Sequence, residues 1–294
     1  MKVLVLYGKS QSANGVELKE TGVRLGHEVT SGSIMDVSSE ISNEASRFWL
    51  GRNEITDVDV CFVRSFGPGT CEQLTRRISM IEHMELSGIS VVNPTYSFRR
   101  ARDKYSTQYA LSGAGLPIAT TYTTESMERA YRRSREMGVS VYKPILSSMG
   151  KGSLRFDDPE IAYNAWKMLS RVGMPLIVQE YLENPGRDLR VFVVGDEVVA
   201  TAYKYGGPGE WKTNVAQGGK MVDEPVPEDI LDLGVRAAKA LGLDYSGVDI
   251  METPRGPVVL EANGSPGWQA LKAVTGVDIA EKIVLHATEG IRVG

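Results

Sequence analysis

The chain has 294 residues, of which 42% are hydrophobic and 24% charged, and its formal net charge is -4. Such a chain is long enough for two or three domains with real cores, and its composition is that of a soluble globular protein without the basic field that recommends nucleic acid. Two cysteines, Cys61 and Cys71, and three scattered histidines exclude a disulfide framework, a zinc site and a histidine-based triad. The opening MKVLVLYGKS has too short an apolar run for a signal peptide or a spanning helix, so a cytoplasmic protein with no membrane partner is expected.

Residues 1–95 read as a small α/β unit. Strands are expected at Val3 to Tyr7, His27 to Gly32, Val58 to Ser65 and Ile89 to Asn93, with helices around Val16 to Leu25 and Cys71 to Leu86. Strands alternating with helices predict a parallel sheet. Gly8-Lys9-Ser10 is no phosphate-binding P-loop, because the first glycine of that motif is missing. Arg64 and Ser65 follow a buried-looking strand, where parallel sheets bind ligands. Arg64 there either holds a substrate carboxylate or phosphate or is an ordinary turn arginine.

Residues 96–182 change character. SFRRARDKYSTQYALSGAG reads as one basic helix, followed by a strand (Ile118 to Tyr122), a helix (Glu125 to Met137) and the strand VSVYKP with Lys143 inside it. An ammonium within an apolar strand is costly unless an anion meets it. The loop from Ser147 to Gly152, containing Ser148, Gly150 and Gly152, can bring backbone N–H groups to phosphates or can be only a turn. A helix from Asp158 to Val172 leads to the buried strand LIVQEYL, which contains Glu180, Tyr181 and Leu182.

Residues 183–294 turn antiparallel. Arg190 to Val194 and Val198 to Tyr205 form a hairpin that carries Asp188, Arg190 and Lys204. WKTNVAQGG, with Lys212, Thr213 and Asn214, is a polar loop, and PEDILDLGVRAAKALGL is an amphipathic helix. The stretch from Asp244 to Trp268 is a second hairpin with Asp249 in its first strand. Glu261 and Asn263 stand two apart on one face of its second strand. Three oxygen-bearing side chains gathered so suit Mg²⁺ or Mn²⁺. The alternative is a turn-capping Asp249 and an ordinary strand glutamate. A last helix runs from Val277 to Glu289. Cations, a glycine loop and a hard-metal ligand set are what a nucleoside triphosphate requires, so an ATP site between two α+β lobes is inferred.

RARDK (Arg100 to Lys104), VYKPILSSMGKG, VQEYLENPGRDLRVFVVGDEVVA, WKTNVAQGG and GVDIM…GPVVLEANGSPG…TGVDIAEKI resemble the ATP-grasp ligases, specifically the RimK-like α-L-glutamate ligases. The resemblance runs in family order from about Arg99 to the C-terminus. It implies an ATP-grasp fold behind a Rossmann-like pre-ATP-grasp domain, with 1–95 as that domain, 96–182 as the central lobe and 183–294 as the C-terminal lobe with the metal site. It also implies ATP- and Mg²⁺-dependent addition of L-glutamate to a carboxylate acceptor through an acyl phosphate.

Carried over by the resemblance, Lys104 and Lys143 contact ATP phosphates under the loop of Ser148, Gly150 and Gly152. The backbone at Glu180, Tyr181 and Leu182 meets adenine, Asp188 the ribose side, and Lys212, Thr213 and Asn214 the nucleotide. Asp249, Glu261 and Asn263 hold two Mg²⁺ or Mn²⁺ ions, and Arg190 and Lys204 face the reacting phosphoryl group. The chain departs from the family pattern at Ser147-Ser148, where a glycine usually leads, and at Lys204, where many relatives have arginine. Ser265-Pro266-Gly267-Trp268 is associated with ligases of pterin-type or deazaflavin-type coenzymes, so the acceptor is expected to be a small coenzyme such as a methanopterin-type pterin. A protein acceptor and a non-catalytic ATP-binding regulator are the alternatives, and self-association is left open. Trp268, on a loop, is either a platform for the acceptor or a packing residue.

Overall fold

The computed structural model describes residues 1–147, 150–183, 185–207, 211–213 and 218–289. Its first strand, β1 (Lys2–Tyr7), is buried at every central position, as a strand in the middle of a parallel sheet must be. Helix α1 (Ala13–Arg24) starts at Ser12, whose hydroxyl accepts from the Gly15 amide, and leads to β2 (Glu28–Ser33). Next comes a small antiparallel sheet that the sequence did not announce: β3 (Val37–Ile41), β4 (Ser46–Leu50) and β5 (Asn53–Glu54). Its strands are mostly polar, and only Val37 and Phe48 are buried, so no alternating apolar signal marks them. Then β6 (Val60–Val63), α2 (Cys71–Leu86) and β7 (Ser90–Val92) complete a parallel sheet of order β2-β1-β6-β7.

The single basic helix expected after residue 95 is two: α3 (Thr95–Arg102) and α4 (Lys104–Gly113). Asp103 breaks it by accepting from the Tyr105 and Ser106 amides at 2.8 and 3.1 Å, capping the second helix and turning the chain out of the first. The break puts Lys104 at a helix start. The central lobe follows: β8 (Thr121–Thr124), α5 (Met127–Met137), β9 (Ser140–Tyr142), β10 (Leu154–Phe156), α6 (Pro159–Arg171) and β11 (Leu176–Glu180). Its antiparallel sheet, β10-β9-β11-β8, carries α5 and α6 over a core of Trp166, Tyr142 and Phe156. Lys143 lies just past β9 rather than within it.

The C-terminal lobe consists of β12 (Arg187–Val194), β13 (Glu197–Tyr205), β14 (Lys220–Val222), α7 (Glu228–Leu241), β15 (Tyr245–Thr253) and β16 (Gly256–Asn263). Two helices, α8 (Gln269–Thr275) and α9 (Ile279–Glu289), follow. The antiparallel sheet β14-β13-β12-β15-β16 buries Leu189, Val191, Val248 and Ile250 under α7. Its other face is apolar at one end, where Phe192 and Val194 join the first unit's core, and charged at the other, where Asp188 and Arg190 stand. Alternation along one strand thus gives a face that is half joint and half site.

Asn93 fixes that joint. Its amide, fully buried, donates to the carbonyls of Tyr245 and Gly264 at 2.9 and 2.7 Å and accepts from the Tyr245 N–H at 2.9 Å. Both ends of the β15–β16 hairpin are therefore gripped by the first unit. Among the described residues no helix is long and apolar enough to cross a membrane.

Candidate active site

The charged row on the C-terminal sheet follows from strand register. Asp188 of β12 is paired with Lys204 of β13, Arg190 of β12 with Asp249 of β15, and Asp249 with Glu261 of β16. Directly opposed residues share a face, so four strands present their charges together. Lys204 lies between two carboxylates, 2.7 Å from Asp188 Oδ1 and 2.9 Å from Asp249 Oδ1. Arg190 holds Asp249 through Nε at 2.8 Å and NH2 at 3.1 Å. Asp188 also accepts from the Thr213 hydroxyl.

Burial pushes the Lys204 pKa down, but Asp249 and Asp188 outweigh it and the pKa is raised. Asp188 is pushed up by burial despite Lys204. For Asp249, burial pushes the same way, but Arg190 and Lys204 win and hold the carboxyl below its ordinary value. Gly247 makes the row possible, because a Cβ there would lie 2.2 Å from Arg190 NH1 and 2.8 Å from Pro266 Cβ.

The facing wall comes from the central lobe and α4. Lys104 donates to the Ser147 carbonyl at 2.7 Å and to its hydroxyl at 3.0 Å, tying down the start of the glycine loop. Burial draws the pKa of both Lys104 and Lys143 down, with Glu261 pulling the other way. Gly150 and Gly152 have φ of 66° and 75°, and a Cβ at Gly152 would meet Pro144 at 2.9 Å, so the loop's path requires glycine at 152. Lys212 reaches across from the C-terminal lobe and donates to the Gly150 and Ser153 carbonyls at 3.1 and 3.0 Å. Ser148 and Asn214, both expected at the nucleotide, lie outside the described residues.

These walls border an open cleft, a first chamber lined also by Glu180, Tyr181, Leu182, Thr213 and Met251. The amides of Glu180 and Tyr181 donate to the Thr120 and Val139 carbonyls, which leaves those two N–H groups no part in base recognition. An aromatic corner stands nearby: Tyr181 and Trp211 lie 6.4 Å apart, with Arg155 at 4.2 Å over Tyr181.

A second chamber, also open to solvent, adjoins the first. Lys104, Lys143, Ser147, Gln179, Leu260 and Glu261 line both. Arg64, Ser65 and Asn263 line only the second, together with Arg102 and Gln108, which sequence reasoning did not single out. Of the two readings of Trp268, platform or packing, the structure favours packing. Its indole is fully buried with Phe192 and Leu18, donates Nε1–H to Glu17 Oε2 at 2.7 Å and lines neither chamber. It packs because α1, distant in sequence, supplies both a cover and an acceptor for its N–H.

The donor chemistry fits a hard divalent cation. Asp249 and Glu261 face each other across the ladder, and of the two only Asp249 forms salt bridges among the described residues. Glu261 accepts from Asn263 Nδ2 at 3.0 Å, and that amide also donates to the Gly247 carbonyl at 3.1 Å. Two facing carboxylates, one of them without a salt bridge among the described residues, suit a cation that takes oxygen ligands.

Comparison with known proteins identifies the family. Residues 101–286 match the RimK-like ATP-grasp domain. The chain is 31% identical over 279 residues to the tetrahydromethanopterin:alpha-L-glutamate ligase of Methanosarcina acetivorans, spanning 85% of this chain and 86% of that protein. The enzyme of the same name from Methanocaldococcus jannaschii is 35% identical over 236 residues, 78% and 79% of the two chains. In fold, the chain is similar to the ATP-grasp ligase PsnB complexed with minimal precursor, Mg and ADP, with a TM-score of 0.75 over 99% of this chain and 98% of that one at 20% identity. The chain belongs to the RimK-like ATP-grasp family and is a carbon–nitrogen ligase.

Proposed function

We propose that this ligase uses ATP and Mg²⁺ to join the amine of L-glutamate to a carboxylate of a small coenzyme of the methanopterin-type pterin class. The observation that carries the reading is the shared wall: two chambers meet on Lys104, Lys143 and Glu261. Triphosphate in the first chamber and carboxylate in the second would then face each other across fixed cations. The names and identities of the two methanogen relatives support the acceptor class.

In this reading an acceptor carboxylate oxygen attacks the γ-phosphorus and the β–γ bridging oxygen leaves with ADP. The amine nitrogen then attacks the acyl carbon, inorganic phosphate leaves, and one proton is released as the amide forms. Lys104 and Lys143 bind the phosphoryl oxygens, while Arg190 and Lys204 hold the far side of the row at the reacting group. Asp188, with Thr213, stands on the ribose side. Glu261, Asp249 and Asn263 would hold two Mg²⁺ or Mn²⁺ ions, which when bound neutralise charge between the phosphates. The loop at Gly150 and Gly152, held by Lys104 and Lys212, keeps water from the acyl phosphate.

The experiment is ADP release screened against coenzymes that carry a free carboxylate, with hydroxylamine in place of glutamate. A hydroxamate of the acceptor with ADP as co-product is expected. AMP and pyrophosphate without hydroxamate would reject the acyl phosphate, and release with a carrier or ribosomal protein alone would move the acceptor to proteins.

A further inference from the structure

The central lobe leaves one helix flank uncovered. Helix α6 packs against β10 and β11, and α5 against β11, β9 and β8, so α6 is the helix beside β10, the open edge of the sheet. Ala162 and Trp166 point into the lobe's core, and Tyr163 meets Tyr131 of α5 with ring centres 5.3 Å apart. The flank roughly opposite Tyr163 carries Ile161, Ala165 and Met168, and Val172 at the helix end continues it. Ile161, Met168 and Val172 are 61%, 62% and 69% exposed, and Ala165 is half-buried.

Single exposed apolar residues are ordinary, but side chains in line along one flank form a continuous stripe. Its steps of four, three and four residues are the spacing of a helix that packs against another helix. Leu154 of the edge strand β10 adds to the same surface. It shares the helix side of the sheet with buried Phe156, two residues on, and is 41% exposed.

The stripe is also self-complementary. A two-fold axis crossing α6 between Trp166 and Lys167 sets an antiparallel copy beside it, with Ile161 against Val172 of the second copy and Ala165 against Met168. Small meets large at the centre, and β-branched meets β-branched at the ends. The charges obey the same axis. Glu160 and Arg171 stand on one side of the stripe at opposite ends of the helix, and neither forms a salt bridge among the described residues. In the antiparallel pair each Glu160 faces the Arg171 of the other copy, twice by symmetry. A patch that matches itself under a two-fold rotation is what an isologous dimer requires, whereas a different partner would need no such match.

We propose that the α6 flank is a self-association surface, through which two copies of this chain pair with their α6 helices antiparallel. The pairing is independent of the ligase reading, because no residue of α6 lines either chamber.

Sedimentation velocity of the full chain over a concentration series tests the pairing. The unaltered protein should pass from monomer to dimer and stop there, because a two-fold contact closes on itself. Met168→Lys sets two like charges beside the axis and should weaken the dimer by about a hundredfold or more. Glu160→Arg places guanidinium against guanidinium at both ends and should weaken it about tenfold, and Arg171→Glu should do the same with carboxylates. Glu160→Arg combined with Arg171→Glu restores opposite charges and should recover the parental affinity to within about threefold. All three positions are exposed, so circular dichroism spectra like the parent's are expected of every variant. A monomer at every concentration would leave the stripe to a different protein and overturn the pairing. A dimer indifferent to Met168→Lys would put the contact on another face, and a double variant no tighter than the single ones would reject the antiparallel arrangement.

Discussion

The two walls of the cleft are built on opposite principles. On the C-terminal sheet, Lys204 and Arg190 each have a carboxylate within salt-bridge distance, supplied across a β ladder by strand register. On the facing wall, Lys104, Lys143, Arg64 and Arg102 form no salt bridge among the described residues. A buried ion pair is expensive to break, whereas a buried lone cation is expensive to keep. The first wall is a preformed scaffold whose charges hold one another in place. The second stores positive potential that the substrates' anions release.

Lys204→Met should break the scaffold. It leaves Asp188 and Asp249 buried with one cation fewer, and removing one partner of a buried network costs about 3–5 kcal/mol. Urea denaturation measures this directly; a variant as stable as the parent would mean that the pairing is incidental. Asp249→Asn strikes the same network and should also destabilise, which makes it a poor probe of metal binding.

Glu261→Gln sharpens the contrast, because Glu261 forms no salt bridge among the described residues. The fold should survive with Tm nearly unchanged, while Mg²⁺-dependent ADP formation falls about 10²–10³-fold, as when one charge stabiliser is removed. Near-parental turnover would remove Glu261 from the ligand set.

Lys143→Met tests the facing wall from the other side. Replacing a half-buried ammonium that forms no salt bridge among the described residues with an apolar side chain of similar length should raise the stability of the nucleotide-free chain by about 1 kcal/mol while abolishing phosphoryl transfer. A loss of stability instead would show that Glu261 already compensates Lys143 in the nucleotide-free chain.

The same division explains what the sequence disclosed. The parity of Glu261 and Asn263, and the placement of Asp188 and Arg190 on one strand, are local and legible from alternation. That Arg190 faces Asp249 depends on β12 pairing with β15 across the intervening α7, which no local pattern states. Gly247 gave a readable signal, a glycine inside a strand, but not the guanidinium that needs its space. Asp103 splits the basic stretch because a capping side chain outcompetes continued helix, a signal present in the sequence and passed over. The burial of Trp268 was not legible, since Glu17 and Asn14 reach it from the far end of the chain. Ligand identities came from the family resemblance; Arg64 was legible as an arginine that follows a buried strand, whereas Arg102 reaches the same cleft only through the packing of α3.

Lys212 joins the two walls, and its removal should have the smallest effect. Its ammonium holds the Gly150 and Ser153 carbonyls from the opposite lobe, so the glycine loop is tied at this end by Lys212 and at the other by Lys104. Lys212 is only half-buried, so water replaces part of what a methionine would lose, and about 0.5–1.5 kcal/mol is at stake. Lys212→Met should therefore leave global stability in place and loosen the loop locally. Amide hydrogen exchange at Gly152, Ser153 and Leu154 should speed up by about tenfold or less, with exchange in β12 and β15 unaltered. Unchanged exchange at those three amides would show that Lys104 and the glycine conformations hold the loop without help from the C-terminal lobe.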